Sequence, residues 1–203
     1  MSKVAIVGDP SGTGTFTISA PNGNTDRTLV LPDEAGTIIT TAGVPASAMP
    51  AGSVIQVATT TQEGIISTSV QGVPSTITNG AQVFSLSFTP KFSTSIILVT
   101  TSTVMVNEET NIADICWLAL WDGSTFIAAN SGTGKYSNFA GGLNVGYTSL
   151  NHTYSAGNTS TRTISVRAGM NGGSGSIYIN GNTYSAYTGS SSRIQMVVME
   201  IAG

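Results

Sequence analysis

Short stretches rich in Thr, Val, Ile and aromatic residues recur along the chain, and residues typical of turns separate them. These residue types fit a pleated sheet, whereas runs of Ala, Leu, Glu and Lys, which favour helices, are missing. Asp122-Gly123 between two such stretches is a strong hairpin signal. Strands of this number and spacing predict an antiparallel β-sandwich of the jelly-roll type. The predicted strands are Val54–Thr60, Val83–Phe88, Ser95–Met105, Ala113–Trp121, Thr125–Ala129, Leu143–Ser149, Thr161–Ala168, Gly175–Asn180 and Arg193–Ile201.

Two of these strands are apolar on both faces: "ADICWLALW" at 113–121 and "RIQMVVMEI" at 193–201. A strand with one face in water should alternate apolar and polar residues. One face is therefore expected to pack on the second sheet and the other on another subunit, since an uncovered apolar patch favours aggregation. A closed three-fold assembly satisfies this requirement. The predicted subunit-interface residues are Ile115, Trp117, Trp121, Val197 and Met199.

The first 43 residues predict a separate, small β module. "FTISA", "RTLVL" and "TIITT" have strand composition, and the turn-forming segments "PNGNTD" and "PDEAG" separate them. A module of this size builds only a small core. Residues 44–53 contain two prolines among small residues, which predicts a linker. The expected organisation is a β module at 1–43, a linker at 44–53 and the sandwich at 54–203.

Charged residues are scarce, with 7 basic and 10 acidic side chains and a net charge of −3. Without a basic footprint the chain is not expected to bind nucleic acid. It contains no apolar run of 18 residues, so no membrane insertion is expected. Its start lacks the apolar core of a signal peptide. One cysteine excludes an internal disulfide, which fits a protein made in a reducing cytoplasm and equally one that works outside a cell and gains its stability from assembly.

The residues that carry chemistry do not form a recognisable catalytic or metal-binding pattern. "SGTGKYS" departs from the phosphate-binding loop, because Ala129 stands where a Gly is needed and Tyr136 where a Ser or Thr is needed. His152 is the only histidine, and metal sites and hydrolytic triads need further ligands or partners. The sequence positions no carboxylate pair for glycoside hydrolysis. We therefore expect no enzyme activity, no metal and no cofactor.

Tyr and Asn residues lie among Ser, Thr and Gly in the later, loop-like segments. Tyr offers a flat apolar face and a hydroxyl, and Asn offers a donor and an acceptor, which together suit a neutral sugar. The same residue types are also ordinary in strands and turns. If they do bind a receptor, we expect them to cluster at one end of the sandwich. The candidate receptor-binding residues are Tyr136, Asn138, Asn151, His152, Tyr154, Tyr184 and Tyr187.

The segment "GTFTISAPNGNTDRTLVLPDEAGTIIT" at 14–40 resembles a module of the tail-fibre proteins of tailed bacteriophages. The shared pattern lies at Ile18–Pro21, Thr28–Pro32 and Gly36-Thr37. The second unit is similar to a C-terminal fibre domain of such phages. The pieces that carry this similarity are "GSVIQV" (52–57), "LSFTPKFSTSIILV" (86–99), "LALWDGSTFIAA" (118–129), "GSIYINGN" (175–182) and "SSRIQMVVMEIAG" (191–203).

This resemblance implies a homotrimer in the virion tail, assembled in the host cytoplasm. The N-terminal module would dock on other tail or baseplate proteins, and the C-terminal sandwich would bind a polysaccharide of the host cell surface. Two alternatives remain open at this point. The first is a purely structural virion component, such as a fibre adaptor or decoration protein. The second is a depolymerase of the host polysaccharide.

Overall fold

The computed structural model describes residues 7–15, 17, 19, 22–26, 28, 49–69, 72–107, 115–132, 136–139, 143–171, 176–181 and 193–203. The chain divides into two compact units, Met1–Ile38 and Ile39–Gly203, and each is described by itself. In the first unit, the Asp9 carboxylate accepts hydrogen bonds from the amide (2.8 Å) and the hydroxyl (2.6 Å) of Ser11. These bonds lower the pKa of Asp9. Of the three strands predicted in this unit, only residues 17, 19 and 28 are described.

The second unit consists of strands and, in its described residues, contains no helix. The strands are β1 (Val54–Glu63), β2 (Ile66–Thr68), β3 (Ala81–Phe88), β4 (Ile96–Asn107), β5 (Ile115–Asp122), β6 (Thr125–Gly132), β7 (Tyr136–Phe139), β8 (Leu143–Ser155), β9 (Arg162–Asn171), β10 (Ile177–Ile179) and β11 (Arg193–Ile201). Each of the nine predicted strands is present. The short strands β2 and β7 were not predicted, and β8 continues to Ser155 rather than ending at Ser149.

The strands form two antiparallel sheets. One sheet has the order β3-β9-β5-β6. In the other, seven-stranded sheet, β1-β11-β4-β8 form the main path, and the short strands β2, β7 and β10 extend it. The eight long strands pair from the outside inwards: β1 with β11, β3 with β9, β4 with β8, and β5 with β6. This nested pairing is that of a jelly roll, so the structure confirms the predicted all-β sandwich.

The core lies between the inner faces of the two sheets. Strict alternation along β5 points Leu118 and Leu120 inwards, and both are fully buried. From the opposite sheet Ile97 and Val99 of β4 and Val198 of β11 are buried in the same cluster. The prediction that one face of β5 packs on the second sheet is therefore confirmed.

Glu200 is a fully buried carboxylate on the inner face of β11. It accepts hydrogen bonds from the backbone amides of Lys91 (2.8 Å) and Phe92 (3.1 Å) and from the Gln56 side-chain amide (2.5 Å). Burial by itself raises the pKa of Glu200, but these hydrogen bonds to the ionised form outweigh it and hold the pKa below its usual value. The carboxylate thus joins β11, β1 and the turn between β3 and β4.

The outer face of β5 is covered by the chain itself. Residues 72–80, which we call the cover segment, lie against Trp117, whose indole nitrogen donates to the Gly72 carbonyl at 3.0 Å. The Arg167 guanidinium fastens this segment by donating to the carbonyls of Asn79 (2.9 Å) and Gly80 (2.7 Å). Gly169 lies directly beneath the indole, where any Cβ would overlap the ring.

Trp117 and Trp121 are consequently 1% and 3% exposed within a single chain. Phe126 packs its ring edgewise on Trp121, with 5.5 Å between ring centroids. This corrects the expectation that these two tryptophans are covered by another subunit, because the sequence pattern could not show that residues before β3 fold back over β5. Ile115 begins β5, and its side chain lies outside the described residues.

Candidate functional site

The outer face of the seven-stranded sheet is formed by every second residue of its long strands. Thr59 of β1 lies opposite Val197 of β11, Val197 opposite Thr100 of β4, and Thr100 opposite Asn151 of β8. Adjacent members of this row are about 4.8 Å apart, the spacing of paired strands. Thr59 and Asn151 are exposed, whereas Val197 and Thr100 are half-buried. The row therefore presents hydroxyl and amide groups on a partly apolar floor.

A groove of about 500 Å³ crosses this face, and we call it the outer groove. Its lining residues are Thr100, Thr101, Ser102, Ser149, Asn151, Arg193, Ile194, Gln195 and Val197. The Thr100 hydroxyl donates to the side-chain oxygen of Asn151, which holds the amide in place and leaves its NH₂ group for another partner. Arg193 is the one charged residue in this lining, and its Nε lies 3.0 Å from a carboxylate oxygen of Glu63. Hydroxyl and amide groups thus dominate the groove, and its charge is paired.

Tyr147 lies on the same outer face of β8 and is 77% exposed. Because residues i, i+2 and i+4 of a strand share one face, Tyr147, Ser149 and Asn151 form a line along β8. Neighbours in this line are separated by roughly 7 Å. An exposed aromatic ring therefore continues the line of polar groups at one end of the outer groove.

A second feature of this face is an apolar band at its other end. Val54 and Val57 of β1 are 46% and 54% exposed, and Ile96 of β4 is 39% exposed. Val57 lies opposite Met199, which lies opposite Leu98. We define the apolar band as Val54, Val57, Ile96, Leu98, Met199 and Ile201. The predicted interface residue Met199 belongs to this band and Val197 borders it, and both are half-buried.

A smaller groove of about 370 Å³ lies at the edge of the sandwich, and we call it the edge groove. Its lining residues are Asp122, Thr125, Ile127, Tyr154, Ser155, Asn158, Ser160, Thr161 and Arg162. The strand ends explain this set, since β5 ends at Asp122, β9 begins at Arg162 and β8 ends just after Tyr154. Arg162 Nη1 donates to Asp122 Oδ2 at 2.9 Å, and the two side chains are 12% and 14% exposed. Arg162 Nη2 donates to the Asn158 side-chain oxygen at 2.8 Å.

Two donors of the edge groove lack an acceptor among the described residues, namely the Tyr154 hydroxyl and Arg162 Nε, and both atoms are buried. The Tyr154 hydroxyl interacts weakly with the nearby Asp122 carboxylate, at a geometry that falls short of a full hydrogen bond. Burial, and secondly the negative charge of Asp122, raise the pKa of Tyr154 well above its usual range. The hydroxyl therefore keeps its proton and remains a donor.

The structure does not bring the candidate receptor-binding residues together. Alternation along β8 turns Asn151 to the outer face, whereas His152 and Tyr154 face inwards and are half-buried. Tyr136 lies opposite Val145 in the β7–β8 pair, nine residues from Tyr154 along β8 and thus roughly 30 Å away. Asn138 belongs to the same short strand β7. Tyr184 and Tyr187 lie outside the described residues.

Sequence reasoning did not select several residues that line these surfaces. Tyr147, Gln195 and Thr100 belong to strands, whereas the sequence pattern predicts the candidate binding residues in loop-like segments. The signal that could have found Tyr147 is the continuation of the period-two pattern through "YTSLNHTY", which places Tyr147 and Asn151 on one face. Arg162 is paired with a residue 40 positions away, and no local pattern indicates such a pair.

The described residues do not form a group of three potential metal ligands. In the same part of the chain there is no helix long and apolar enough to cross a membrane. Asp122 is the single carboxylate among the residues that line the edge groove, and none lines the outer groove. The residues that line both grooves offer hydroxyl and amide groups for hydrogen bonding.

No protein family model matches the chain, and no curated protein sequence does. Among solved structures, it is similar to PorU from Porphyromonas gingivalis, with a TM-score of 0.38, 11% identity, and coverage of 81% of this chain and 14% of PorU. The infectious bursal disease virus Gt strain gives a TM-score of 0.36 and 13% identity over 74% of this chain and 39% of that one. The VP2 subviral particle of the same virus gives 0.35 and 15% identity, over 73% of this chain and 38% of VP2. The chain thus spans less than two fifths of each, and similarities this distant assign no function.

Proposed function

We propose that this chain is a trimeric tail-fibre protein of a bacteriophage and that its sandwich binds a neutral polysaccharide of the host surface. The observation that carries the binding role is the outer groove, together with the exposed Tyr147 ring that lies beyond its end on the same face of β8 as the Asn151 amide. The assignment to a phage fibre is supported by the resemblance of residues 14–40 and of the second unit to fibre proteins. The same resemblance implies that the N-terminal module docks on the tail.

The chemistry of the outer groove matches that of a sugar ring. Sugars combine hydroxyl groups, which donate and accept, with apolar C–H faces. The Asn151 amide, the Gln195 amide and the Ser102 hydroxyl supply both donors and acceptors. Tyr147 supplies a flat ring for the C–H face. The outer groove and the adjacent Tyr147 ring therefore match both the hydroxyl groups and the apolar face of a sugar. The one charged residue of the groove, Arg193, is paired with Glu63.

Trimer formation is supported by the apolar band on the same face. Its exposed valines and isoleucine are joined by half-buried Leu98, Met199 and Ile201 into one continuous strip across β1, β11 and β4. Contacts between such strips on neighbouring copies remove apolar surface from water. Three copies then present three outer grooves, which raises the apparent affinity for a repeating polysaccharide through effective concentration.

The binding role is tested on an array of purified bacterial surface polysaccharides, with the full chain as the probe. We expect saturable binding to at least one neutral polysaccharide. Binding should change little between low and moderate salt, because screening weakens only charge–charge interactions. Tyr147→Ala should weaken binding by about twofold to tenfold, the worth of an aromatic contact beyond its area.

Thr153→Ala is the matched control, since Thr153 is exposed on the same face of β8, does not line the outer groove, and lies at the opposite end of the line from Tyr147. Binding by this variant should equal that of the unaltered chain. If a trimer forms but binds no polysaccharide on the array, the chain is a structural component without a receptor role. Release of shortened sugar from a bound polysaccharide would instead indicate a depolymerase.

A further inference from the structure

The edge groove holds an ion pair with unused hydrogen-bonding capacity. Arg162 Nη1 occupies one oxygen of Asp122, which leaves Oδ1 able to accept. The Tyr154 hydroxyl and Arg162 Nε are buried donors without an acceptor in the described part of the chain. A buried donor without a partner costs free energy, so a group that both accepts and donates would stabilise this cluster.

A hydroxyl group meets this requirement, since its oxygen has two lone pairs that accept from Tyr154 and Arg162 while its O–H donates to Asp122. A second hydroxyl on the neighbouring carbon reaches the polar rim, where Asn158 and Thr161 are exposed. The Ile127 side chain and the Tyr154 ring supply apolar walls for the carbon skeleton. At about 370 Å³ the groove is near the lower limit of small-molecule sites, roughly 300 to 1,000 Å³. It is therefore suited to one ring.

We propose that the edge groove is a second ligand site and that it binds a single ring of a neutral sugar through two adjacent hydroxyl groups. A uronic acid is excluded, because its carboxylate would meet the Asp122 carboxylate, which already pairs with the charge of Arg162. The Tyr154 hydroxyl and Arg162 Nε are both buried. Ligand entry displaces the exposed Asn158 side chain from Arg162.

This site is distinct from the outer groove, because Tyr154 and Asn151 point to opposite faces of β8. The inference therefore goes beyond the proposed function. A chain that adheres to polysaccharide through the outer groove alone would leave the edge groove empty, and a chain that binds free sugar in the edge groove need not adhere to cells.

The experiment titrates the full chain with glucose, galactose, mannose and N-acetylglucosamine, with glucuronic acid as the charged probe. Binding is followed by ligand-observed NMR on the unaltered chain, Tyr154→Phe, Tyr147→Ala and Thr159→Ala. Tyr154→Phe removes only an unpaired hydroxyl, so its melting temperature should be equal or higher. Thr159 is exposed and does not line the groove, so its variant is the matched control.

We expect at least one neutral sugar to bind saturably, glucuronic acid not to bind, and Tyr154→Phe to bind about twofold to tenfold more weakly. Tyr147→Ala and Thr159→Ala should bind as the unaltered chain does. The proposal is overturned if no neutral sugar binds, or if Tyr154→Phe binds as well as the unaltered chain. Loss of binding in Tyr147→Ala alone would place the sugar in the outer groove, which overturns this inference but supports the proposed function.

Discussion

The outer faces of the two sheets show the same sequence pattern but differ in how far they are buried. β5 and β11 are both apolar on two sides, and in both strands the inner side lies in the core. On β5 the outer tryptophans are almost completely buried by the cover segment and Phe126. On β11 the outer residues Val197 and Met199 are only half-buried. A two-sided apolar strand therefore predicts that both sides are covered, but not that the second cover is another subunit.

The difference has a local physical cause. Gly169 makes room for the Trp117 indole, and Gly80 lies against its edge, with a φ of 65° that favours glycine. Arg167 then holds the segment down through two backbone carbonyls. On the outer side of β11 none of the described segments provides a comparable cover. What remains exposed there is the surface available to a partner.

The largest loss of stability is expected from a substitution on the outer face of β5, which the cover segment buries. Trp117→Ala removes a buried indole and its hydrogen bond to Gly72, and should lower the free energy of unfolding by about 3–5 kcal/mol. Chemical denaturation measures this loss. Met199→Ala, on the half-buried outer side of β11, is the comparison and should lower the free energy of unfolding far less. Equal losses in the two variants would show that the cover segment is not packed as described.

A smaller effect is expected from the inner side of β11. Glu200→Gln keeps the shape but loses the charge that the Lys91 and Phe92 amides stabilise, at a cost of about 1–3 kcal/mol near neutral pH. Because the folded pKa of Glu200 is lowered, its contribution is complete above the unfolded pKa of about 4.3. It is lost as the pH falls below that value through the folded pKa.

Urea denaturation of both proteins between pH 6 and about pH 3 tests this sign. The unaltered chain should lose stability more steeply with falling pH than Glu200→Gln does. The two curves should converge at low pH, since a protonated carboxyl and an amide are both neutral. Parallel curves would mean that the Glu200 pKa is not lowered by folding.

The smallest effect on folding stability is expected from a substitution in the apolar band, which should change the oligomeric state instead. Val57→Lys places a charge in the apolar band, and a surface substitution of this kind should change the stability of a single chain by only about 0.5 kcal/mol. Light scattering should nevertheless show a trimer for the unaltered chain and a monomer for the variant. Thr61→Lys, four residues along the same exposed face of β1, is the control and should remain trimeric. A trimer in both variants would exclude the apolar band as the interface.

The sequence was informative about strands because their signal is local. Val, Ile and Thr recur with a period of two, and Asp122-Gly123 marks the β5–β6 hairpin, with a φ of 59° at Gly123. β2 and β7 were missed because three or four residues carry too little pattern. Apart from this hairpin, strand pairing was not readable from the sequence, since a jelly roll joins strands that are far apart along the chain, such as those of Val54 and Ile201.

The candidate site was harder to predict than the fold. Asn151, His152 and Tyr154 are polar neighbours, so the segment looked like a loop in which all three could face one ligand. As part of β8 it alternates, and Tyr154 meets Asp122 and Arg162 on the other side of the strand. Which polar residues gather depends on pairing across the sandwich, and this is a non-local property.

The alternation along β8 has a consequence for how such chains can diverge. Substitutions at 149 and 151 alter the outer groove, one at 147 alters the ring beyond its end, and all three leave Tyr154 untouched, so selection can change one surface while holding the other constant. Insertion of a single residue within β8 acts differently, because every side chain beyond it moves to the opposite face. Lineages that vary in ligand preference should therefore differ by substitution in this strand, while its length stays fixed.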